Sequence, residues 1–389
     1  MILVQNRPQP LNGNNMKLKT LFLIAVLSFP LANLIAQGSD HNFKIGILLP
    51  FSTDGSDKEN KNAEAIFDYY QGAKLALNQL EKEGFKATIQ VWDLNKDSIE
   101  LEKLFKSLEF QGLDVLIGPI SQKYVNQISK RLKNSNTTWV SPLKSLNLPN
   151  SQFNLNFFSP DSLRMRGLGY ALSDQFKFHK FCLITDGSSQ SKKDASTLKF
   201  VLQSLSKSRK ISIHQFSGTT FTPVLPMKDS VICINTFSNQ TAKIQLVKYA
   251  SGKVNDKKNA ASRNSSYIVG HFNWYENLSL SQDANEDKII YPAINFLNQA
   301  DSSTSEYTKL YVEKIFGEPS RFGYQGYDQM LFLGYGLMFG GTAFLPTLPN
   351  ANNVGFINTI RPYRIGKRFY NIGVRLISLE NHDQKLFTN

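Results

Sequence analysis

The chain has 389 residues, 41% of them hydrophobic, and a formal net charge of +13. Its two cysteines exclude a small scaffold held together by disulfides. The excess positive charge could favour anionic surfaces such as cell-wall polymer or lipid headgroups. The basic residues are spread along the chain and do not alternate with stacking aromatics, so a generally basic surface is the simpler interpretation and no nucleic-acid groove is expected.

Residues 1–37 are predicted to be a leader rather than part of the folded protein. Lys17 and Lys19 follow Met16, an apolar core runs from Leu21 to Ile35, and small residues suited to cleavage come next. We expect a secretory signal that starts at Met16. A membrane anchor is the alternative, but the apolar core is shorter than the roughly 20 residues that span a bilayer. No cysteine for lipid attachment is near, and no later apolar run is expected to cross a membrane, so the prediction is a soluble periplasmic or otherwise exported protein.

After the leader, apolar strands alternate with amphipathic helices. The strands of a first series are predicted at 44–52, 87–93, 113–117 and 138–143, and its helices at 67–82, 99–108 and 122–132. Strands that alternate with helices in this way form a doubly wound parallel sheet. Ligands of such folds lie outside the carboxyl ends of the strands.

The same alternation restarts after a crossing at 157–161. Its strands are predicted at 181–185, 211–216, 230–235 and 267–270, and its helices at 163–176, 195–205 and 241–249. A return crossing at 289–292 leads to helices at 305–316 and 324–339. Because a mature chain of about 350 residues exceeds what one core usually supports, two lobes are expected.

We therefore predict an α/β fold of two doubly wound, Rossmann-like lobes joined by a multi-strand hinge. Lobe 1 comprises residues 42–158 plus 293–345. Lobe 2 comprises residues 159–292 plus 354–380, the last part being strand-like and expected to complete lobe 2 or the hinge. Cys182 and Cys233 fall in predicted buried strands, and we expect both to be free thiols.

No motif points to catalysis, a metal or a cofactor. The sequence has no Gly-x-Ser-x-Gly elbow, no Walker loop and no zincin helix, and its five histidines never stand at metal-ligand spacing. A triad assembled only by folding is a weak alternative. We expect a protein that is not an enzyme and that holds no metal and no cofactor.

Several short motifs, in this order and spacing, resemble the type I periplasmic binding proteins. They are the strand Lys44 to Ser52, the helical run Tyr70 to Leu77, Asp93, Gly118-Pro119, Ser141-Pro142 and the late Gly326-Tyr327-Asp328. The leucine/isoleucine/valine-binding and receptor ligand-binding group looks closest. The resemblance implies a hinged, two-lobed shell that closes on a small polar ligand, usually amino acid-like, and often delivers it to an ABC transporter.

The resemblance also implies which residues contact the ligand. Family members hold its charged groups with hydroxyls and backbone amides at the strand ends of lobe 1. The matching positions here are Ser52, Ser121, Ser141 and the backbone of Pro142, Leu143 and Lys144. Each serine could instead be a helix cap or a turn residue.

Lobe 2 departs from the family pattern. The loop after its first strand contains Asp186 and Ser188 but not the aromatic residue of the amino-acid binders. Asp186 and Glu276 are the candidates for an acidic contact to a ligand ammonium group. Trp274 could stack on a ligand across the cleft or pack under a loop.

The same fold is similar to the carboxy-terminal domain of outer-membrane activators of peptidoglycan synthases, where it serves as a protein-contact module. Two functions therefore remain open. The first is an exported binding protein for a small polar ligand, with an ABC permease as the partner. The alternative is an envelope protein-interaction module with a degenerate cleft, whose partners are cell-wall synthesis proteins.

Overall fold

The computed structural model describes residues 41–51, 57–94, 98–132, 135–177, 179–215, 231–237, 267–272, 274, 289–348, 353–380 and 383–387. The leader, Ser52, Glu276 and the helix predicted at 241–249 lie outside these ranges. Two seven-stranded sheets organise the described residues, and each is the centre of one lobe.

The sheet of lobe 1 has the strand order β13-β14-β5-β4-β3-β1-β2. Its strands are β1 (Phe43–Leu49), β2 (Ala87–Asp93), β3 (Val115–Ile117), β4 (Thr138–Ser141), β5 (Asn154–Asn156), β13 (Pro362–Ile365) and β14 (Arg368–Asn371). All neighbours are parallel except β13 and β14, which form an antiparallel hairpin at the edge. The helices of lobe 1 are α1 (Asp57–Lys82), α2 (Ser98–Lys106), α3 (Leu108–Gln111), α4 (Val125–Leu132), α7 (Ser302–Ile315), α8 (Arg321–Gly340) and α9 (Phe344–Thr347).

The sheet of lobe 2 has the order β16-β15-β10-β9-β8-β6-β7. Its strands are β6 (Lys180–Thr185), β7 (Ile211–Gln215), β8 (Val231–Asn235), β9 (Tyr267–Val269), β10 (Ile289–Ala293), β15 (Arg375–Glu380) and β16 (Asp383–Leu386). Strands β6 to β10 are parallel, and β15 and β16 add to them in antiparallel fashion. The described helices of this lobe are α5 (Asp161–Gln175) and α6 (Ser189–Leu205), and a separate two-stranded ribbon pairs β11 (Asn353–Val354) with β12 (Thr359–Ile360).

The predicted fold class is confirmed. The chain passes between the two sheets three times, after β5, after β10 and after β14, which gives the multi-strand hinge. The residues of β1 alternate between the faces of their sheet: Ile45 and Ile47 pack towards α1 and α8, whereas Leu48 packs towards α2, α3 and α4. Both faces are covered by helices, which explains why the strand reads as one apolar run.

Helices α1 and α8 pack so closely that glycine is required at the contact. A Cβ atom on Gly72 would lie 1.9 Å from the carbonyl oxygen of Gly323, and one on Gly326 would lie 1.9 Å from that of Tyr69. The Asp68 carboxylate of α1 also accepts hydrogen bonds from the first amides of α8, at 2.8 Å from Ser320 N. Two glycines of the sequence motif thus have a packing role.

Several predicted boundaries are wrong for identifiable reasons. Strand β1 ends at Leu49 rather than at residue 52, because the Phe51 amide donates to the Asp93 carboxylate at 3.0 Å. The helix predicted at 99–108 is two helices, since the Ser107 hydroxyl caps α3 by accepting from Phe110 N. Helix α1 begins ten residues before its predicted start, at Asp57.

The carboxy-terminal prediction is also wrong in part. Residues 354–380 were expected to join lobe 2, but β13 and β14 belong to the sheet of lobe 1. Residues Arg368–Asn371 extend that sheet because β14 pairs in parallel with β5. Only β15 and β16 complete lobe 2.

One described stretch, Arg321–Thr347, has the length and the apolar composition of a helix that crosses a membrane. By these two criteria, the expectation that no such run follows the leader is wrong. In this fold its helix α8 packs on α1, and most of its residues are buried in the core of lobe 1. The buried polar residues Gln325, Asp328 and Gln329 lie within it.

Candidate functional site

The carboxyl ends of β3 and β4 form the predicted ligand edge of lobe 1. Ser121 begins the helical segment that follows β3, a 3₁₀ turn (Gln122–Tyr124) that continues into α4. Ser121 occupies the N-cap position of this segment, but its side chain makes no capping hydrogen bond. Among the described residues, no group bonds to the backbone amides of Leu143 and Lys144. A hydroxyl and two amides are thus available at this edge.

Ser141 is placed differently from Ser121. It is fully buried, and its hydroxyl donates to the Lys144 carbonyl at 2.5 Å. In register beside it, the Asn156 side chain accepts from the Leu146 amide at 2.9 Å. The serine therefore shapes the turn that presents residues 143 and 144, and its hydroxyl is not directed at a ligand in this arrangement.

Pro142 is held by a buried hydrogen-bonded chain that sequence reasoning missed. Gln329 of α8 donates its amide to the Pro142 carbonyl at 2.9 Å and accepts from the Tyr69 hydroxyl at 2.9 Å. Burial raises the pKa of Tyr69 above its ordinary value, so this hydroxyl stays protonated and donates. The position of the strand-end turn is therefore coupled to the contact of α1 with α8.

The hinge is organised around a buried acid and a buried base. The Asp328 carboxylate accepts from the amides of Phe356, Ile357 and Asn358 at 2.8, 2.9 and 3.2 Å. The Arg375 guanidinium donates to carbonyls on the other side of the same segment, including those of Phe356 at 2.8 Å and Asn358 at 2.9 Å. Asp328 belongs to α8 of lobe 1 and Arg375 begins β15 of lobe 2, so this segment links the lobes.

A second contact joins the lobes through α5. The Arg361 guanidinium donates to the Asp174 carboxylate at 2.7 Å and lies 4.3 Å from the centre of the Tyr170 ring. One turn earlier on the same helix face, Arg166 lies 4.9 Å from the ring of Tyr363. Residues of lobe 2 thus contact Tyr363 in the edge hairpin of lobe 1 and Arg361, the residue before that hairpin.

No family model matches the sequence, and no curated protein matches it. Solved structures do match. A putative branched-chain amino acid ABC transporter protein from Rhodospirillum rubrum is similar over 89% of this chain and 100% of that one, at 11% identity and a TM-score of 0.55. The LpoA C-domain from Haemophilus influenzae, a regulator of PBP1A, matches over 89% and 100% at 12% identity and a TM-score of 0.52. Full-length LpoA matches over 94% of this chain, which spans 61% of its length, at 12% identity and a TM-score of 0.53.

The chain has the type I periplasmic binding protein fold. The resemblance stated from the motifs is confirmed at this level. Identities of 11% and 12% establish the fold but assign no role to any residue of this chain.

Asp186 and Ser188, two of the predicted ligand contacts of lobe 2, are bonded to each other. The Asp186 carboxylate accepts from the Ser188 amide at 3.0 Å and from its hydroxyl at 2.7 Å. The Ser188 hydroxyl in turn caps α6 by accepting from Ser191 N. Burial alone would raise the pKa of Asp186, but the hydrogen bonds from Ser188 outweigh it, so the pKa is lowered. This loop is closed on itself.

Trp274 lies in the core of lobe 2 and is fully buried. Its ring fills the space above Gly270, where a Cβ atom would lie 2.7 Å from it. Trp274 therefore packs in the core and does not stack on a ligand, because neither face of its buried ring is accessible. Glu276 lies outside the described residues, and its predicted contact stays a prediction.

Arg164 and His271 lie near one edge of lobe 2, and neither was predicted from the sequence. Arg164 lies in the first turn of α5 and His271 follows β9. Burial, and then the charge of Arg164, lower the pKa of His271. The Arg164 Nε atom lies 3.1 Å from the Asp161 carboxylate, whose side chain is largely exposed. The only sequence signal for this site was that His271 follows the carboxyl end of a predicted strand, β9.

A cavity of about 650 Å³ lies between α7, the start of α8 and residues 297–299. Its lining combines Lys309, Glu318 and Tyr324 with apolar groups. Within the described ranges, no group of three or more His, Cys, Asp or Glu residues could hold a metal. Cys182 and Cys233 are buried free thiols that face each other in register on β6 and β8, as expected.

Proposed function

We propose that the chain is an exported, non-enzymatic binding protein that captures a small polar ligand between its two lobes. The observation that carries the proposal is the edge of lobe 1. There the Ser121 hydroxyl and the amides of Leu143 and Lys144 are left unbonded by the described residues, next to a rigidly held turn. Unbonded hydroxyls and amides at strand ends suit a carboxylate or another anionic group.

The engaged acids of lobe 2 argue against a zwitterionic ligand. The Asp186 carboxylate is already bonded to Ser188, and the Asp161 carboxylate lies 3.1 Å from Arg164 Nε. A ligand ammonium group would therefore find no unengaged acid there among the described residues. Delivery of the ligand to an ABC permease is the part of the proposal that rests on fold likeness alone.

Thermal-shift screening of the mature chain tests this proposal. The panel contains amino acids, carboxylates without an amino group, short peptides and cell-wall fragments. A ligand that binds only the native state adds about 2.7 kcal/mol at about 100 times its Kd, so saturable stabilisation is expected. Ser121→Ala should reduce the response. Ser204→Ala is the matched control, because its hydroxyl donates to its own helix at Val201. A flat response across the panel would contradict the proposal.

A second candidate is an envelope protein-contact module with a degenerate cleft. It is favoured by the closed Asp186 turn, the internally bonded Ser141 hydroxyl and the buried Trp274. The fold likeness to the LpoA C-domain, a regulator of PBP1A, supports it too. Crosslinking in envelope extracts would decide, since this candidate requires a recovered cell-wall synthesis partner and no small-molecule response.

A further inference from the structure

Two stretches without acidic residues meet in the sheet of lobe 1. Residues 115–160 and residues 329–379 contain no Asp or Glu. The first contributes β4 and β5, and the second contributes β14 and β13. These four strands are consecutive neighbours and form one side of the sheet. The sequence shows the two acid-free stretches, and the strand order places them side by side, so acidic residues are missing from this side of the sheet.

The β13–β14 hairpin, residues 362–371, carries the exposed cations of this side. Arg364 and Lys367 flank its turn, where Gly366 has a φ of +65°. The Arg364 guanidinium lies 5.9 Å from the ring centre of Phe153 and 5.8 Å from that of Phe369, and the Lys367 ammonium lies 5.8 Å from Phe153. These contacts hold both cations at the surface without neutralising them.

The hairpin cations have no acidic partner among the residues that the structure describes. The ion pairs formed within the described ranges include neither Arg364 nor Lys367. Both side chains bond to backbone carbonyls instead, Arg364 to Gly366 at 2.8 Å and Lys367 to Ser151 at 3.0 Å. Their positive charge therefore remains available to an anionic partner.

An apolar side chain stands between the two cations. Ile365 is 48% exposed at the tip of the hairpin, although the chain elsewhere buries most residues of this type. Basic residues on an edge strand can simply prevent edge-to-edge pairing. That explanation accounts for Arg364 but neither for the apolar tip nor for the lack of acids along β4, β5 and β14.

We propose that this hairpin docks the protein on the surface of an anionic phospholipid bilayer, with Ile365 entering the headgroup region. Lipid phosphates would match the cations, and the acyl boundary beneath them would match the isoleucine, a combination that an acidic protein surface does not offer. Each cation near such a surface contributes about fivefold in affinity. This docking does not depend on a ligand in the cleft.

Vesicle sedimentation of the mature chain tests the proposal. Vesicles of phosphatidylglycerol mixed with phosphatidylcholine should bind the protein, less so at high salt, and pure phosphatidylcholine should not. The variant Arg364→Glu/Lys367→Glu should weaken binding by more than about 25-fold. The matched control Lys192→Glu/Lys193→Glu changes the net charge equally on exposed positions of α6 and should keep most of the binding.

Ile365→Ser keeps both cations and should weaken binding severalfold, which separates docking from general charge attraction. Circular dichroism of each variant establishes that it is folded. Equal losses in the hairpin and control variants, or no binding to anionic vesicles, would overturn the proposal. So would binding to immobilised polyglutamate in the absence of vesicle binding, since that outcome identifies an acidic protein as the partner.

Discussion

Asp328 and Arg375 bind opposite sides of one hinge segment: the carboxylate accepts its amide hydrogens and the guanidinium donates to its carbonyls. Both side chains are buried, and they attract each other electrostatically. Because the partners of both side chains within residues 355–358 are backbone groups, Asp328 and Arg375 hold the main chain of this segment directly. The segment that links the two lobes is thereby anchored to α8.

Asp328→Asn should strongly destabilise the protein. The amide group would direct N–H donors at backbone amides and leave the Arg375 charge without its counter-charge. Removing one partner of a buried pair costs about 3–5 kcal/mol. Urea unfolding at pH 7, where the Asp328 carboxylate is ionised, measures this loss. Asp174→Asn makes the same chemical change in the more exposed pair with Arg361 and should cost about 1 kcal/mol or less. Equal losses in the two variants would contradict the role given to Asp328.

The stability contributed by Asp328 should depend on pH. Burial raises its pKa from 3.8 to about 6, although the three amides and Arg375 act in the opposite direction. Since the pKa in the folded state lies above that in the unfolded state, the contribution is complete below about pH 4 and is lost as the pH rises through 6. The difference in unfolding free energy between wild type and Asp328→Asn should fall by about 3 kcal/mol from pH 3.5 to pH 7. A difference that rises with pH would refute the raised pKa.

Gly326→Ala should destabilise lobe 1 by about 1–3 kcal/mol, the usual cost of overpacking. The added methyl group would overlap the Tyr69 carbonyl, so α1 and α8 would have to separate. Gly317→Ala is the control, because nothing lies within 4 Å of its Cβ position. Thermal unfolding compares the two variants, and a neutral effect of Gly326→Ala would mean that the helices are further apart than described.

Gln329→Leu should cost about 2–4 kcal/mol, because it leaves both the Pro142 carbonyl and the Tyr69 hydroxyl buried without a partner. Tyr69→Phe removes only one of the two hydrogen bonds and should cost about 1 kcal/mol. Denaturant unfolding gives both values. If the phenylalanine variant were the less stable of the two, the contact with Pro142 would not be the important one.

Much of the architecture could be predicted from the sequence, because unbroken apolar strands and amphipathic helices have distinct periods. Gly72, Gly326 and Asp328 belong to the motifs that predict the family. In the structure, the two glycines allow α1 and α8 to pack closely, and Asp328 binds the hinge segment. The sheet that β14 joins could not be predicted, since strand pairing is decided by contacts far apart in the sequence. The same is true of the hydrogen bonds that engage Ser141 and Asp186.

Calorimetric titration with the most strongly stabilising small molecule from the panel tests the central claim most directly. The account predicts saturable binding of one ligand per chain to the wild type. It also predicts at least about tenfold weaker binding to Ser121→Ala, the loss expected for one hydrogen bond to a charged group. No saturable binding, or equal affinity in wild type and Ser121→Ala, would contradict a ligand site at the strand ends of lobe 1.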